Sequence, residues 1–326
     1  MTTTLLRSLI ICLLFICGHG QWLIAQSVAA DGGRPRSATA RRHTSDLHIN
    51  SYIGTRQEKG TQVDVFASGL AKKKVYQFRS IDFPGWSSTM AQDFDDATAV
   101  GSANYGPDYF AFYFNGTQYQ ALNIPGAKNS VVNGINGAGQ MVGTYLDSSG
   151  QYHGFFYNGK TVVTIDPPGS SQTEAWGIND SGEIVGTYVG DTQIGFLDKG
   201  GVFTDIDTGG DYTVATGINS NGDIVGFFGD DGNEGFLLSH GVYTGINFPE
   251  SVQSWAYGIN DAGAIAGSFW DGDFQAHGFT FIAGVFNQVD VPGDGAVTGL
   301  FRIKNNGSVV GYVEDLLFAY HGIIGH

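Results

Sequence analysis

The side chains of this 326-residue chain best suited to chemistry are aromatic and acidic rather than nucleophilic. Beyond residue 75 the histidines are His153, His240, His277, His321 and His326. No Gly-x-Ser-x-Gly elbow or His-Glu-x-x-His pair is present, so no motif for an activated serine or a catalytic zinc stands out. The two cysteines, Cys12 and Cys17, both lie near the N-terminus. The rest of the chain therefore has no disulfide, thiol nucleophile or cysteine metal site, and no catalytic residue is assigned. Carboxylates are too numerous to single out a pair, and two acids at a glycosidase-like separation stay open as an alternative.

Two groups of oxygen donors raise the question of a cation. Asn136, Asn179, Asn219 and Asn260 recur at matching places, and side-chain oxygens suit Ca²⁺. Asparagine is also what a tight turn prefers, because its side chain hydrogen-bonds nearby backbone. The acidic stretch Asp230-Asp231-Gly232-Asn233-Glu234 lacks full EF-hand spacing and reads as a solvated turn. No resident metal or cofactor is expected, with Ca²⁺ the one candidate.

Aromatic residues are more informative. Trp86, Trp176, Trp255 and Trp270, with Tyr212 and Tyr257, fall in or beside the links from fourth to first strand, or from second to third strand, of the units derived next. Such links share one face, and exposed rings there suit stacking on sugars or anchoring a protein segment. The plainer alternative is that these rings fill gaps between units, since tryptophan is usually largely buried.

One pattern organises the chain: Gly-Ile-Asn, a glycine turn, an Ile-Val-Gly run, a Gly-Phe run, then Phe/Tyr-x-x-Ile-Asp leading into Pro-Gly. Six copies align on Phe94, Ile135, Ile178, Ile218, Ile259 and Ile303, with spacings of 41, 43, 40, 41 and 44 residues. That period is the length of a propeller blade. Within one copy, Ala175–Asn179, Glu183–Val189, Ile194–Leu197 and Val202–Asp207 read as four short strands joined by hairpin turns. A parallel β-solenoid needs longer crossovers than these turns allow. The expected fold is all-β: a six-bladed β-propeller of four-stranded antiparallel blades over residues 75–326.

The ends of the pattern predict how the ring closes. Residues 75–84 (VYQFRSIDFP) match a fourth strand, whereas the last copy stops at Tyr320-His321-Gly322 without one. The N-terminal strand is expected to complete the last blade, which removes open sheet edges. The repeat glycine is Asp93 in the first copy and Arg302 in the last, and the repeat asparagine is Asp95 and Lys304. These opposite charges are read as a latch of two ion pairs, Asp93 with Arg302 and Asp95 with Lys304. A catalytic Asp/Arg pair is the sharper alternative.

The motif string resembles the extracellular repeat family named HAF. Its namesake triplet matches His153-Gly154-Phe155 and His277-Gly278-Phe279, and its signature Gly-Ile-Asn-Asp-x-Gly-x-Ile-Val-Gly stands at 177–186. The resemblance covers nearly everything from Val75 onward and implies an exported bacterial propeller-like protein with no defined reaction. Phe110, Ile194, Glu234 and Phe318 stand where the triplet has histidine, which argues against a shared metal role for that histidine. The recurrent asparagines resemble the channel asparagines that hold Ca²⁺ in some six-bladed lactonases.

Arg7, the apolar run 8–17 and Ser27-Val28-Ala29-Ala30 read as a signal peptide over residues 1–30. Residues 31–74 carry nine Lys/Arg against four Asp/Glu and read as a basic flexible leader. Residues 75–326 carry six Lys/Arg against 27 Asp/Glu, a body that repels phosphate backbones and so excludes nucleic acid. The expectation is a secreted or periplasmic monomer with no membrane span after processing, binding an extracellular polymer or protein without catalysis. A propeller lyase, hydrolase or lactonase, and a structural surface protein, are the alternatives.

Overall fold

A computed structural model describes residues 75–326 apart from 96, 106–107, 230–232, 293–296, 316, 318 and the side chain of Tyr105. The expected signal peptide and leader, with both cysteines, lie outside the described residues, as do Asp230, Asp231, Gly232 and Phe318. Among the described residues every regular element is a β-strand, and no helix is long and apolar enough to cross a membrane. The fold is all-β and propeller-like.

The third copy shows how the sequence builds its unit. Gln172–Ile178, Ile184–Val189, Gln193–Asp198 and Phe203–Ile206 pair antiparallel in order. The first strand begins three residues before the span read from sequence. Between the first two strands, Asn179 Oδ1 accepts the N–H groups of Ser181 (3.1 Å) and Glu183 (3.0 Å), and Gly182 takes φ +78° to close the turn. A side chain that replaces backbone partners, followed by a residue tolerant of positive φ, is what such a turn needs.

The other copies repeat this order, and the N-terminal strand Phe78–Ile81 pairs antiparallel with the last strand, Tyr320–Gly325, from Phe78↔Gly325 to Ile81↔Gly322. The sheets number four of four strands and one of eight, where six separate four-stranded sheets were expected. The larger sheet joins the third and fourth copies, because Gln193 and Tyr212 form a single parallel bridge between them. The first strands of successive copies adjoin around a ring, the first copy beside the sixth.

The core sits between neighbouring sheets. Val142 and Ile165 of the second copy, for example, pack with Ala175, Ile178, Ile184 and Phe196 of the third. The Gly and Phe of the repeat are one device. A Cβ on Gly186 would lie 2.1 Å from the Glu174 carbonyl oxygen and 2.7 Å from the Phe196 ring, so the glycine is what lets that fully buried ring lie across the sheet. Every first strand also carries a bulge one residue before the repeat glycine position, as between Ala175 and Gly177. The bulged residues are Gln92, Asn133, Trp176, Thr216, Tyr257 and Phe301, and a bulge is a standard means of re-aiming a side chain.

Candidate functional site

The ring has two ends of opposite character. At the end where first strands finish, a cavity of about 390 Å³ is lined by Asn136, Asn179, Asn219, Asn260, Lys304 and Asp93, among others. The four asparagines are engaged on both sides of the amide. Each Oδ1 accepts two backbone N–H groups of its own turn. Each Nδ2 donates to the carbonyl of the equivalent residue in the next copy: Asn136 to Asn179 (3.1 Å), Asn179 to Asn219 (3.1 Å), Asn219 to Asn260 (3.1 Å) and Asn260 to Lys304 (3.0 Å). Their oxygens thus serve the turns and their amides tie copy to copy, which accounts for the asparagines without Ca²⁺. Among the described residues no group of three His, Cys, Asp or Glu is placed to hold a metal.

The chain of amides is interrupted from the sixth copy through the first to the second, and the charged residues stand there. Asp93 and Arg302 are both buried. Arg302 Nε lies 3.6 Å from Asp93 Oδ2. Its Nη1 donates to the carbonyls of Tyr257 (2.7 Å) and Phe301 (3.0 Å), and its Nη2 to those of Asn133 (3.0 Å) and Trp176 (2.6 Å). These carbonyls come from four copies, so the guanidinium plugs the interior of the ring. Gly258 is required beside it, since a Cβ there would lie 2.8 Å from Arg302 Cα. Burial pulls the Arg302 pKa down and Asp93 resists that pull.

The second expected ion pair does not form. Lys304 Nζ goes to Asp93 Oδ1 at 2.8 Å, while Asp95 accepts the N–H groups of Ala97 (2.7 Å) and Thr98 (2.6 Å) in its own turn. Two backbone donors satisfy Asp95 without ordering a long side chain, whereas the buried Asp93 gains from every donor in reach. Asp93 also accepts from Phe94 N (2.7 Å) and, on the second copy, Ile135 N (3.0 Å). The contacts of the pair described above are all within the ring, and both residues also line the turn-end cavity.

At the opposite end lie the links between copies, and here the expected aromatic face needs correction. Trp176 and Trp255 lie inside first strands, and Trp270 ends a second strand. Trp255 is 2 % exposed, Tyr257 3 %, Trp270 5 % and Trp176 8 %. They pack on one another and on neighbours, Trp255 on Trp270 at 5.4 Å and Tyr257 on Phe301 at 5.4 Å, and fill the space that small residues leave elsewhere. Of the six expected binding residues only Trp86 and Tyr212 keep partial exposure, and Tyr212 donates its hydroxyl to Asn233 Oδ1.

Trp86 meets the exposed Phe110 edge-on, centroids 5.6 Å apart. Tyr109, the residue before Phe110 on strand Asp108–Phe114 and so on the other face of that sheet, hydrogen-bonds the hydroxyl of Tyr152 in the second copy. Beside them Glu174 of the third copy, half-buried, accepts Trp176 Nε1–H at 3.1 Å. Burial pushes the Glu174 carboxyl up to about 7, against the pull of that hydrogen bond. Glu314, buried at the same end in the sixth copy, is likewise pushed up by burial, with a hydrogen bond from Tyr320 opposing.

Sequence reasoning passed over Glu174. The signal was available, since its equivalents in the other copies are Met90, Val131, Val214, Trp255 and Gly299. A lone carboxylate in a column of uncharged residues is the asymmetry that marks a site in a repeat protein.

The histidine of the triplet has a structural account. His153 Nδ1 lies 2.8 Å from Asp166 and its Nε2 3.7 Å from Asp147. His277 is held likewise by Asp290 (3.0 Å) and Asp271 (3.4 Å), and His321 by Asp82 (3.1 Å) and Asp315 (3.4 Å). Each ring ties the link after the second strand to the end of the fourth. His321 does this across the closure, because Asp82 belongs to the N-terminal segment. Burial lowers the His321 pKa, but Asp82 and Asp315 outweigh it and the net shift is upward.

No family model and no curated protein matches the sequence, so the HAF resemblance rests on the motif residues alone. Solved structures do match. TolB from Acinetobacter baumannii aligns with TM-score 0.53 at 9 % identity over 71 % of this chain, and the chain spans 64 % of that protein. A streptogramin B lyase aligns at 0.45 and 10 % identity, covering 77 % of this chain and 98 % of that one. The Aleuria aurantia lectin aligns at 0.42 and 12 % identity, covering 74 % and 95 %. At such identities the likeness concerns the fold alone.

Proposed function

We propose that the chain is a secreted or periplasmic six-bladed propeller of the HAF type that binds an extracellular glycan, without catalysis, on the face where the copies are linked. The eight-stranded sheet counts as two blades, since one bridge joins two otherwise complete four-stranded units. The observation that carries the reading is a pair of aromatic groups on either face of strand Asp108–Phe114, Trp86 with Phe110 on one and Tyr109 with Tyr152 beside Glu174 on the other. Rings with a solvent-facing side stack on sugar faces, and hydroxyl and carboxyl groups beside them take the sugar hydroxyls. The opposite end offers less, because its amides and its buried charges are already engaged.

The binding unit acts as a monomer and has no need of a metal. A second reading, a hydrolase or lyase, draws on one observation: the Glu174 carboxyl at about 7 is tuned for proton transfer near neutrality. The test is a titration of the protein with soluble polysaccharides, read by tryptophan fluorescence and by release of reducing or unsaturated ends. A saturable shift that disappears in Trp86→Phe, with no product, supports the binding module. Product release lost in Glu174→Gln replaces it with the enzyme, and a flat response from folded protein removes both.

A further inference from the structure

Glu174 occupies a position that other copies fill with Met90, Val131, Val214, Trp255 and Gly299, so the fold does not ask for a carboxylate there. Placing one costs free energy, because a partly desolvated acid lacks the hydration it has in the unfolded chain. Among the described residues no basic side chain offsets that cost with charge. Its hydrogen-bond donor is the neutral Trp176 indole, and among the described residues no Lys, Arg or His nitrogen lies within 4.0 Å of its oxygens. Arg302 is committed to four carbonyls and Asp93, Lys304 to Asp93, Lys199 to Glu183 at 2.6 Å, and Lys128 to the Ser148 carbonyl at 2.9 Å.

The surroundings of Glu174 are aromatic: Trp176, Tyr152 and Tyr109. A carboxylate set among electron-rich rings is the environment that recognises an ammonium or alkylammonium group, through its charge and through attraction to ring faces. The field of the body works in the same direction. With six Lys/Arg against 27 Asp/Glu over residues 75–326, it draws cations and repels uronate or sulfate groups.

We infer that the glycan taken by this face is cationic, an amino sugar polymer with free or alkylated amines, and that Glu174 receives one ammonium group between Trp176, Tyr152 and Tyr109. This rests on the glycan-binding reading and adds the charge of the ligand to it. The probes are hexamers of β-1,4-linked N,N,N-trimethylglucosamine and of N-acetylglucosamine, alike in length and linkage and different in charge. Each is titrated calorimetrically into the full chain at neutral pH and about 0.15 M salt, where diffuse attraction is largely screened.

The cationic hexamer is expected to bind at least about tenfold tighter than the neutral one, and Glu174→Gln to abolish that difference. Gln keeps an oxygen for the Trp176 indole, and unchanged circular dichroism checks the fold. Asp191→Asn removes the same charge from an exposed link of the same copy and is expected to leave the preference intact. Equal binding of the two hexamers, or equal losses in the two variants, overturns the inference and leaves glycan binding standing. Binding of neither hexamer overturns it too, and the polysaccharide titration then decides separately whether the glycan reading survives.

Discussion

The two ends of the ring are built from the same repeat and have opposite economies. At the turn end, four asparagines do one job four times, and where the series is interrupted the ion contacts of Asp93 with Arg302 and Lys304 stand instead. At the link end the strand starts differ from copy to copy, and the rings there divide between buried packing, as at Trp255, and partial exposure, as at Trp86. The lesson is that repetition in this chain marks what holds the ring, while departures from repetition fall at the closure, in buried packing such as Trp255, or at partly exposed positions such as Trp86. Asp93 and Arg302 show that a departure alone is not evidence of a site, since their charges are taken up by contacts within the ring.

Substitutions at the repeated positions should damage stability without touching binding, and the most severe is in the second strands. Gly267→Ala would place a Cβ 2.1 Å from the Trp255 carbonyl oxygen and 2.6 Å from the Phe279 ring, and is expected to cost more than about 4 kcal/mol in urea unfolding. Arg302→Leu leaves four carbonyls without their donor and should cost about 3–5 kcal/mol. The double variant Asp93→Gly with Arg302→Gly restores the residue of the other four copies. It should recover part of that loss, and failure to do so would mean the plug carries more than its own charges.

A smaller effect is expected at one asparagine. Asn179→Ala forfeits two turn bonds, one bond to the Glu183 carboxylate and one to Asn219 and should cost about 2 kcal/mol, against near zero for the solvent-facing Ser181→Ala in the same turn. The smallest concerns the closure and depends on pH. The folded pKa of His321 is raised, so its contribution is fully present below the unfolded value near 6.5 and is lost as pH rises through the folded value. With both partners substantially exposed the contribution is under about 1 kcal/mol, and His321→Gln should be less stable than the parent at pH 5.5 and equal to it at pH 9. A constant difference across that range would assign the loss to packing.

Much of the fold was legible because the repeat obeys local rules. The Asn-x-x-Gly turn, the Gly-Phe pair and the Ile-Asp ending each prescribe a backbone or packing geometry that depends on few distant partners. The N-terminal strand could be placed in the last sheet for the same reason, as residues 75–84 match a fourth strand wherever they stand in the chain. Side-chain destinations around the ring were harder to read. Whether Trp255 stacks on Trp270 or faces solvent depends on the width of a gap set by residues of neighbouring copies. Lys304 had two acids in prospect, and only the burial of Asp93 decides between them. The bridge from Gln193 to Tyr212 that fuses two sheets follows from how closely two strands approach, which no motif encodes.

The central claim is that ligand recognition belongs to the link end and structure to the turn end. Its most direct test is a calorimetric titration of parent protein, Trp86→Ala and Asp180→Asn with the polysaccharide giving the largest fluorescence response. Asp180 lines the turn-end cavity, where it accepts Gly137 N at 2.8 Å. Affinity reduced at least about tenfold by Trp86→Ala and unchanged by Asp180→Asn is the predicted result. Affinity that survives Trp86→Ala and falls with Asp180→Asn would contradict the account and move the site to the opposite end of the ring.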